Sequence, residues 1–123
     1  MFTFRQAHQD AFQENAIAPS RRRLIATLKD SLPEDTQNLT TAELNYVCNQ
    51  AIEIANRTDI ERERNVCFLA GAIILLGNKL KTGECNHFFN YILYNDVFDE
   101  DMKGFFILKG IIQFSEKEDI KDG

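Results

Sequence analysis

Apolar positions along this chain recur at intervals of three and four residues, and almost nowhere in sustained alternation. That period belongs to helices with one face turned to a core, so the pattern predicts an all-α fold. The spacing predicts a first helix over Phe4 to Asn15, with Ala7, Ala11 and Phe12 inward. Pro19 is expected to interrupt, and Ser20 to cap a second helix through Asp30 with Leu24, Ile25 and Leu28 on its inner face. Pro33 should stop that helix, because a residue before proline avoids helical dihedrals.

Thr40-Thr41-Ala42-Glu43 has the form of a capping box. The helix it opens should reach about Asn56, with Leu44, Val47, Cys48, Ala51, Ile52 and Ala55 along one face. Asp59 reads as the cap of the next helix, roughly Ile60 to Leu76, which starts charged and turns apolar all round from Val66. An all-apolar helix must be covered on every side, so this one is expected at the centre. Gly77 supplies its left-handed stop. A fifth helix, about Glu84 to Asn95, and a sixth, about Asp99 to Phe114, complete a compact bundle of about six helices in one domain, 1–114. Ser115 to Gly123 reads as a frayed, charged tail.

Composition narrows the function classes. The chain has 123 residues, 44% hydrophobic and 27% charged, which is enough for one self-supporting core. Its formal net charge of -5 argues against a general nucleic-acid binder, which needs cations to displace phosphate counterions. The longest apolar run, Val66 to Leu76, is too short to cross a membrane, and the start has no continuous apolar leader segment. Cys48, Cys67 and Cys85 are odd in number and widely spaced, as expected of reduced, mostly buried thiols in a reducing compartment, and a cytoplasmic location is expected.

Candidate chemistry fails on spacing. Cys48, Cys67, Cys85 and His87 form none of the paired clips that zinc sites use, so no metal site is assigned. The acidic stretch Asn95 to Gly104 does not make a calcium loop. Counted from Asp99, it puts Lys103 at the fifth place and Gly110 where a glutamate is required. Asp99 to Asp101 read instead as caps of the last helix. His8 and His87 lie in no nucleophile elbow and no glycine-rich phosphate loop exists, so neither an enzyme nor a bound cofactor is expected.

The aromatic residues say more. Of ten phenylalanines and three tyrosines, eight fall between Phe88 and Phe114. In the fifth helix, Cys85, Phe88, Phe89 and Ile92 share one face, while Tyr91, Tyr94 and Phe98 form a second stripe. The sixth helix carries Phe105, Phe106, Ile107, Leu108, Ile111 and Ile112, more than one narrow face can hide. Surplus Tyr and Phe surface is what protein interfaces use, so Tyr91, Tyr94 and Phe98 are candidate partner-binding residues, with burial in the core as the competing account. Arg21, Arg22 and Arg23 form the one basic cluster, either a solvated face paired with Asp10 or Glu14, or a docking patch for an acidic surface.

Glu63-Arg64-Asn65-Val66, followed after eleven residues by Gly77 in Leu75-Leu76-Gly77, resembles a motif of small helical proteins encoded in bacterial type VI secretion loci. Those commonly read E-R-D-V, an apolar helix, then L-G. Phe4-Arg5-Gln6 with Ala11-Phe12, the stop at Leu32-Pro33, Ala51 and Ala55 in the preceding helix, and Tyr91-Ile92-Leu93 are similar to further family features. Asn65 departs by replacing the usual acid, and Pro19-Ser20 by breaking an early helix. The resemblance implies a neighbourhood of spike-tip proteins and antibacterial toxins, and accessory work without catalysis. The expected function is therefore an adaptor of a secreted toxin or its spike carrier, with an immunity protein that neutralises a toxin as the alternative. The expected partner is another protein, with no nucleic acid and no membrane insertion. The aromatic surplus allows a homodimer, and a cytoplasmic location allows co-secretion with a toxin complex.

Overall fold

The computed structural model describes the backbone of residues 14–122 and the side chains of residues 21–115. Among the described residues there are helices and no strand: α1 (Glu14–Ser31), α2 (Pro33–Gln37), α3 (Thr41–Arg57), α4 (Glu63–Leu76), a 3-10 turn (Gly77–Lys81), α5 (Gly83–Leu93) and α6 (Glu100–Asp122). α4 packs against α6, α3, α1 and α2, and α5 packs against α6 and the 3-10 turn. The result is the compact all-α bundle that the spacing predicts, with the helix over 63–76 at its centre. Its Ala70, Gly71 and Ala72 are all buried, and small side chains there let neighbouring helices approach closely. Leu28, Cys48 and Ile107 bring α1, α3 and α6 to the same core.

Three boundaries differ from the sequence expectation for identifiable reasons. α1 runs unbroken through Pro19, so Ser20 lies inside the helix and not at its start. Proline removes one hydrogen bond to the carbonyl four residues back, and here that carbonyl is Asn15, one residue inside the helix. The loss falls at an end where few bonds exist, while Leu24 and Leu28 anchor the rest of α1 in the core. The helix expected over Phe4 to Asn15 lies outside the described residues, apart from Glu14 and Asn15, which belong to α1.

Asp59 does not cap α4. It has a positive φ of 61°, just past the end of α3, and the Ile60 N–H reaches back to the Ala55 carbonyl at 2.9 Å. That bond closes the end of α3 in the manner of a Schellman motif, with aspartate in the left-handed position that glycine often takes. α4 then starts at Glu63, three residues later than the pattern suggests. Gly77 does leave α4 with a positive φ of 52°, but its ψ of -124° directs the chain into the 3-10 turn. At the other end, α6 continues past Phe114 to Asp122 where a frayed tail is expected; no proline or glycine interrupts Ile111 to Asp122.

The capping box is present as read. Thr40 Oγ1 accepts from the Glu43 N–H at 3.1 Å, and Glu43 Oε1 accepts from the Thr40 N–H at 2.8 Å. Thr40→Ala removes one half of this exchange and is expected to cost about 1 kcal/mol. A urea titration should show a lower midpoint with an unchanged slope.

Candidate functional site

The first turn of α6 is a structural lock. Asp99 Oδ1 accepts from the Met102 N–H at 2.8 Å and so caps α6 itself. Glu100 Oε2 accepts from the Arg62 N–H at 2.6 Å, capping the start of α4, and from Asn65 Nδ2 at 3.0 Å. Asp101 takes Arg62 Nη1 at 2.7 Å and Arg64 Nη2 at 3.5 Å. Lys103, buried, donates from Nζ to the Thr58 carbonyl at the end of α3 at 2.8 Å. Of the three acids expected to cap the last helix, only Asp99 does so; Glu100 caps the start of α4 and Asp101 pairs with Arg62 and Arg64. Neither Asn65 nor Lys103 stands out as a core position in the sequence, yet both are almost fully buried with their polar atoms satisfied.

The outer side of α6 is apolar. Phe105 is 58% exposed and Ile112 56%, with Leu108 and Met102 also open to solvent. Residues 105, 108 and 112 follow helical spacing, so their side chains make one ridge. Lys109 Nζ lies 5.5 Å from the Phe105 ring centroid, a cation set over an aromatic face. The ridge continues sideways as a chain of rings: Phe105 to Phe106 at 5.7 Å, Phe106 to Phe98 at 5.2 Å, Phe98 to Tyr91 at 5.8 Å between centroids. Tyr91 is 63% exposed and Tyr94 53%, while Phe98 is half-buried against the core. In α5 the inward face is Cys85, Phe89, Ile92 and Leu93, so the two tyrosines point away from it.

The arginine cluster lies elsewhere, on α1, and its members separate. Arg23 makes a forked pair with Glu63 of α4, its Nη2 to Oε2 at 2.7 Å and Nε to the same oxygen at 3.1 Å. The bond from Arg23 holds the Glu63 carboxyl below its ordinary range. Arg21 leans towards Asn49 of α3, with a long contact of 3.5 Å, and Arg22 is exposed. Arg21 and Arg23 therefore reach towards α3 and α4 respectively, and Arg22 is left exposed.

A feature that sequence reasoning missed is an apolar groove of about 750 Å³ beside α4. Leu24 and Leu32 form one wall, Val66, Phe68 and Leu75 of α4 the floor, and Leu108 of α6 the far side. The Arg23–Glu63 pair, Asp59, Glu61 and Arg64 supply both signs of charge around it. The only advance signal was that α4 is apolar all round; the groove is where α4's neighbours leave one of its sides open. Cys67 lines the groove half-buried, and burial pushes its thiol above the ordinary value. Cys48 is pushed up to about 11, chiefly by burial, with Arg21 pulling the other way, and Cys85 also rises through burial. Thiols held in the protonated form are poor nucleophiles. Among the described residues, no group of three or more His, Cys, Asp and Glu could hold a metal ion, and no helix is long and apolar enough to cross a membrane.

Fold and surface together define an all-helical bundle with a continuous apolar face on its last two helices and an adjoining groove. Comparison with protein-family models, with curated proteins and with solved structures finds no match for this chain.

Proposed function

We propose that this chain is a non-enzymatic, protein-binding accessory that works in the cytoplasm as an adaptor of a type VI secretion toxin or its spike carrier. The observation that supports protein binding is the outer side of α6. A helix that is apolar on its inner and outer faces belongs under cover, yet Phe105, Leu108 and Ile112 face solvent beside two exposed tyrosines. Tyrosine and phenylalanine on a rigid scaffold give large contact area at low entropy cost, which suits them to anchor an interface. The secretion setting rests on the E-R-N-V and L-L-G motif. In this chain the motif has a structural role, because Arg62 to Asn65 dock onto the first turn of α6.

Tyr91→Ala combined with Tyr94→Ala is expected to weaken capture of the partner by about 30-fold or more, the loss of roughly 2 kcal/mol typical of an interface anchor. The melting temperature should stay nearly unchanged, since both rings are more than half exposed. Affinity purification from the native host, followed by calorimetric titration with the identified partner, measures both. A double variant that binds at full strength overturns the tyrosine site. Deleting the gene separates adaptor from immunity protein: toxin delivery fails in the first case, and the cells lose resistance to the toxin in the second.

A further inference from the structure

The apolar stretch of α4 is only partly covered by its neighbours. α3 and α6 pack along it, while α1 meets it at the Arg23–Glu63 pair and again where Leu32 stands beside Gly71. Between α1 and α6 a strip of α4 stays open among the described residues, floored by Val66, Phe68 and Leu75. In a helical bundle that is the place of one more helix. The strip runs from Glu63 to Leu75, twelve residues along α4, about 18 Å at the helical rise. A second helix of about three turns matches that length. Laid along it, such a helix lowers its i, i+4 and i+7 side chains into a volume of about 750 Å³.

The charges at the rim select the kind of helix. Arg23 is forked to Glu63, and Arg64 pairs with Asp101, so these four offset one another. Asp59 and Glu61 also line the groove, at its α3–α4 end, and neither makes an ion pair among the described residues. Two carboxylates without a cation, at one end of an apolar channel, attract positive charge to that end. We propose that the groove is a docking site for a basic amphipathic helix of a partner protein. Its apolar face lies against Val66, Phe68 and Leu75, and a lysine or arginine meets Asp59 and Glu61.

The same charges oppose two other occupants. A fatty acid or phospholipid would bring an anionic headgroup to the carboxylate end. A second copy of this chain would bring a further net charge of -5. The site goes beyond the aromatic face of α5 and α6 and uses different residues, with Leu108 alone bordering both. It does not depend on the secretion setting.

Cys67 reports on the groove, because its half-buried thiol lines it. The probe is a synthetic stapled helix of about twelve residues, with leucines at i, i+4 and i+7 and lysines in one terminal turn. Its comparator carries glutamates in place of the lysines. At ten times its Kd the lysine peptide should slow alkylation of Cys67 by N-ethylmaleimide about tenfold, by mass action. Cys48, fully buried in the core, must stay unlabelled throughout, which shows that the fold is intact. Asp59→Asn with Glu61→Gln removes both charges with little change of shape, and asparagine tolerates the positive φ at position 59. The pair should weaken the lysine peptide about fivefold at low salt, read by fluorescence anisotropy, and remove its advantage over the glutamate peptide. Equal binding of the two peptides to the unaltered chain overturns the proposal. So does protection of Cys67 by dodecanoate and not by the lysine peptide, which assigns the groove to an acyl chain. Protection without peptide that fades on dilution also overturns it, and marks a second copy. Because Cys67 is read directly, each result stands whether or not Tyr91 and Tyr94 bind a partner.

Discussion

Gly104→Ala is expected to destabilise the protein by about 3 kcal/mol, the balance of a steric penalty and lost polar bonds against a gain in helix propensity. A Cβ at this position would fall on the Asn65 side-chain oxygen and lie 2.8 Å from its Cγ. Asn65 is 1% exposed and cannot swing into solvent. Either it gives up its bond to Glu100 or α6 moves away from α4, and both outcomes disturb the centre of the bundle. In a solvent-exposed helix the same change would stabilise by about 1 kcal/mol, so the sign of the effect is itself the test. The melting temperature should fall by roughly 12 °C for a domain of this size. Adding Asn65→Ala vacates the contested space, so the pair should cost less than the sum of the two single changes. An unchanged melting temperature for Gly104→Ala, or strict additivity of the pair, would show that the two residues are not in contact.

Asn65→Asp should be nearly isosteric and still cost more than about 3 kcal/mol at neutral pH, because it buries a charge with no cation of its own. The amide donates Nδ2 to Glu100 at 3.0 Å and lies 3.5 Å from Asp101. A carboxylate in its place would have no hydrogen to donate and would face two like charges. Burial and like charge both raise the pKa of such a group in the folded state above its unfolded value. The folded protein then holds the extra proton more tightly than the unfolded chain, and stability relative to wild type falls as pH rises. The deficit should be small below the unfolded-state pKa, grow between the unfolded-state and the higher folded-state pKa, and level off above the latter. Chemical denaturation across a pH series, each point compared with wild type, gives this curve. A deficit that does not change with pH would place the new carboxylate in solvent. Opposite Glu100 and Asp101, position 65 needs a donor, which asparagine supplies and an ionised aspartate does not.

What was legible in the sequence follows the range of each interaction. The capping box at Thr40 and Glu43 is contained in four residues, and it forms as read. The separation of Tyr91 and Tyr94 from Phe89 and Ile92 depends only on helical periodicity, and the structure puts the two pairs on different faces of α5. Asp59 was misread because aspartate favours both the start of a helix and the left-handed residue after one. The bond from Ile60 back to Ala55 decides between these, and no local pattern announces it. Pro19 was misread because the cost of a proline depends on how far inside the helix it falls. The groove was not legible at all. It is set by the spacing of α1, α4 and α6, and every residue lining it has an adequate local reason to be apolar or charged. Lys103 and Asn65 were missed for a related reason, since a polar residue in a helix is ordinarily placed on the solvent side.

The first turn of α6 ends two other helices at once: Glu100 stands at the positive start of α4, and Lys103 at the negative end of α3. Both caps come from residues 38 and 45 positions away in the chain. α3 closes its own end locally through the Ile60–Ala55 bond, but the Thr58 carbonyl and the Arg62 N–H at the junction are met by residues of α6 once it docks. This couples the middle of the chain to its last third as one cooperative unit. Opening of the α3–α4 junction should track global unfolding and not local fraying. A partner that grips the outer side of α6 would add its binding energy to that whole unit, and the complex would resist unfolding as a single block.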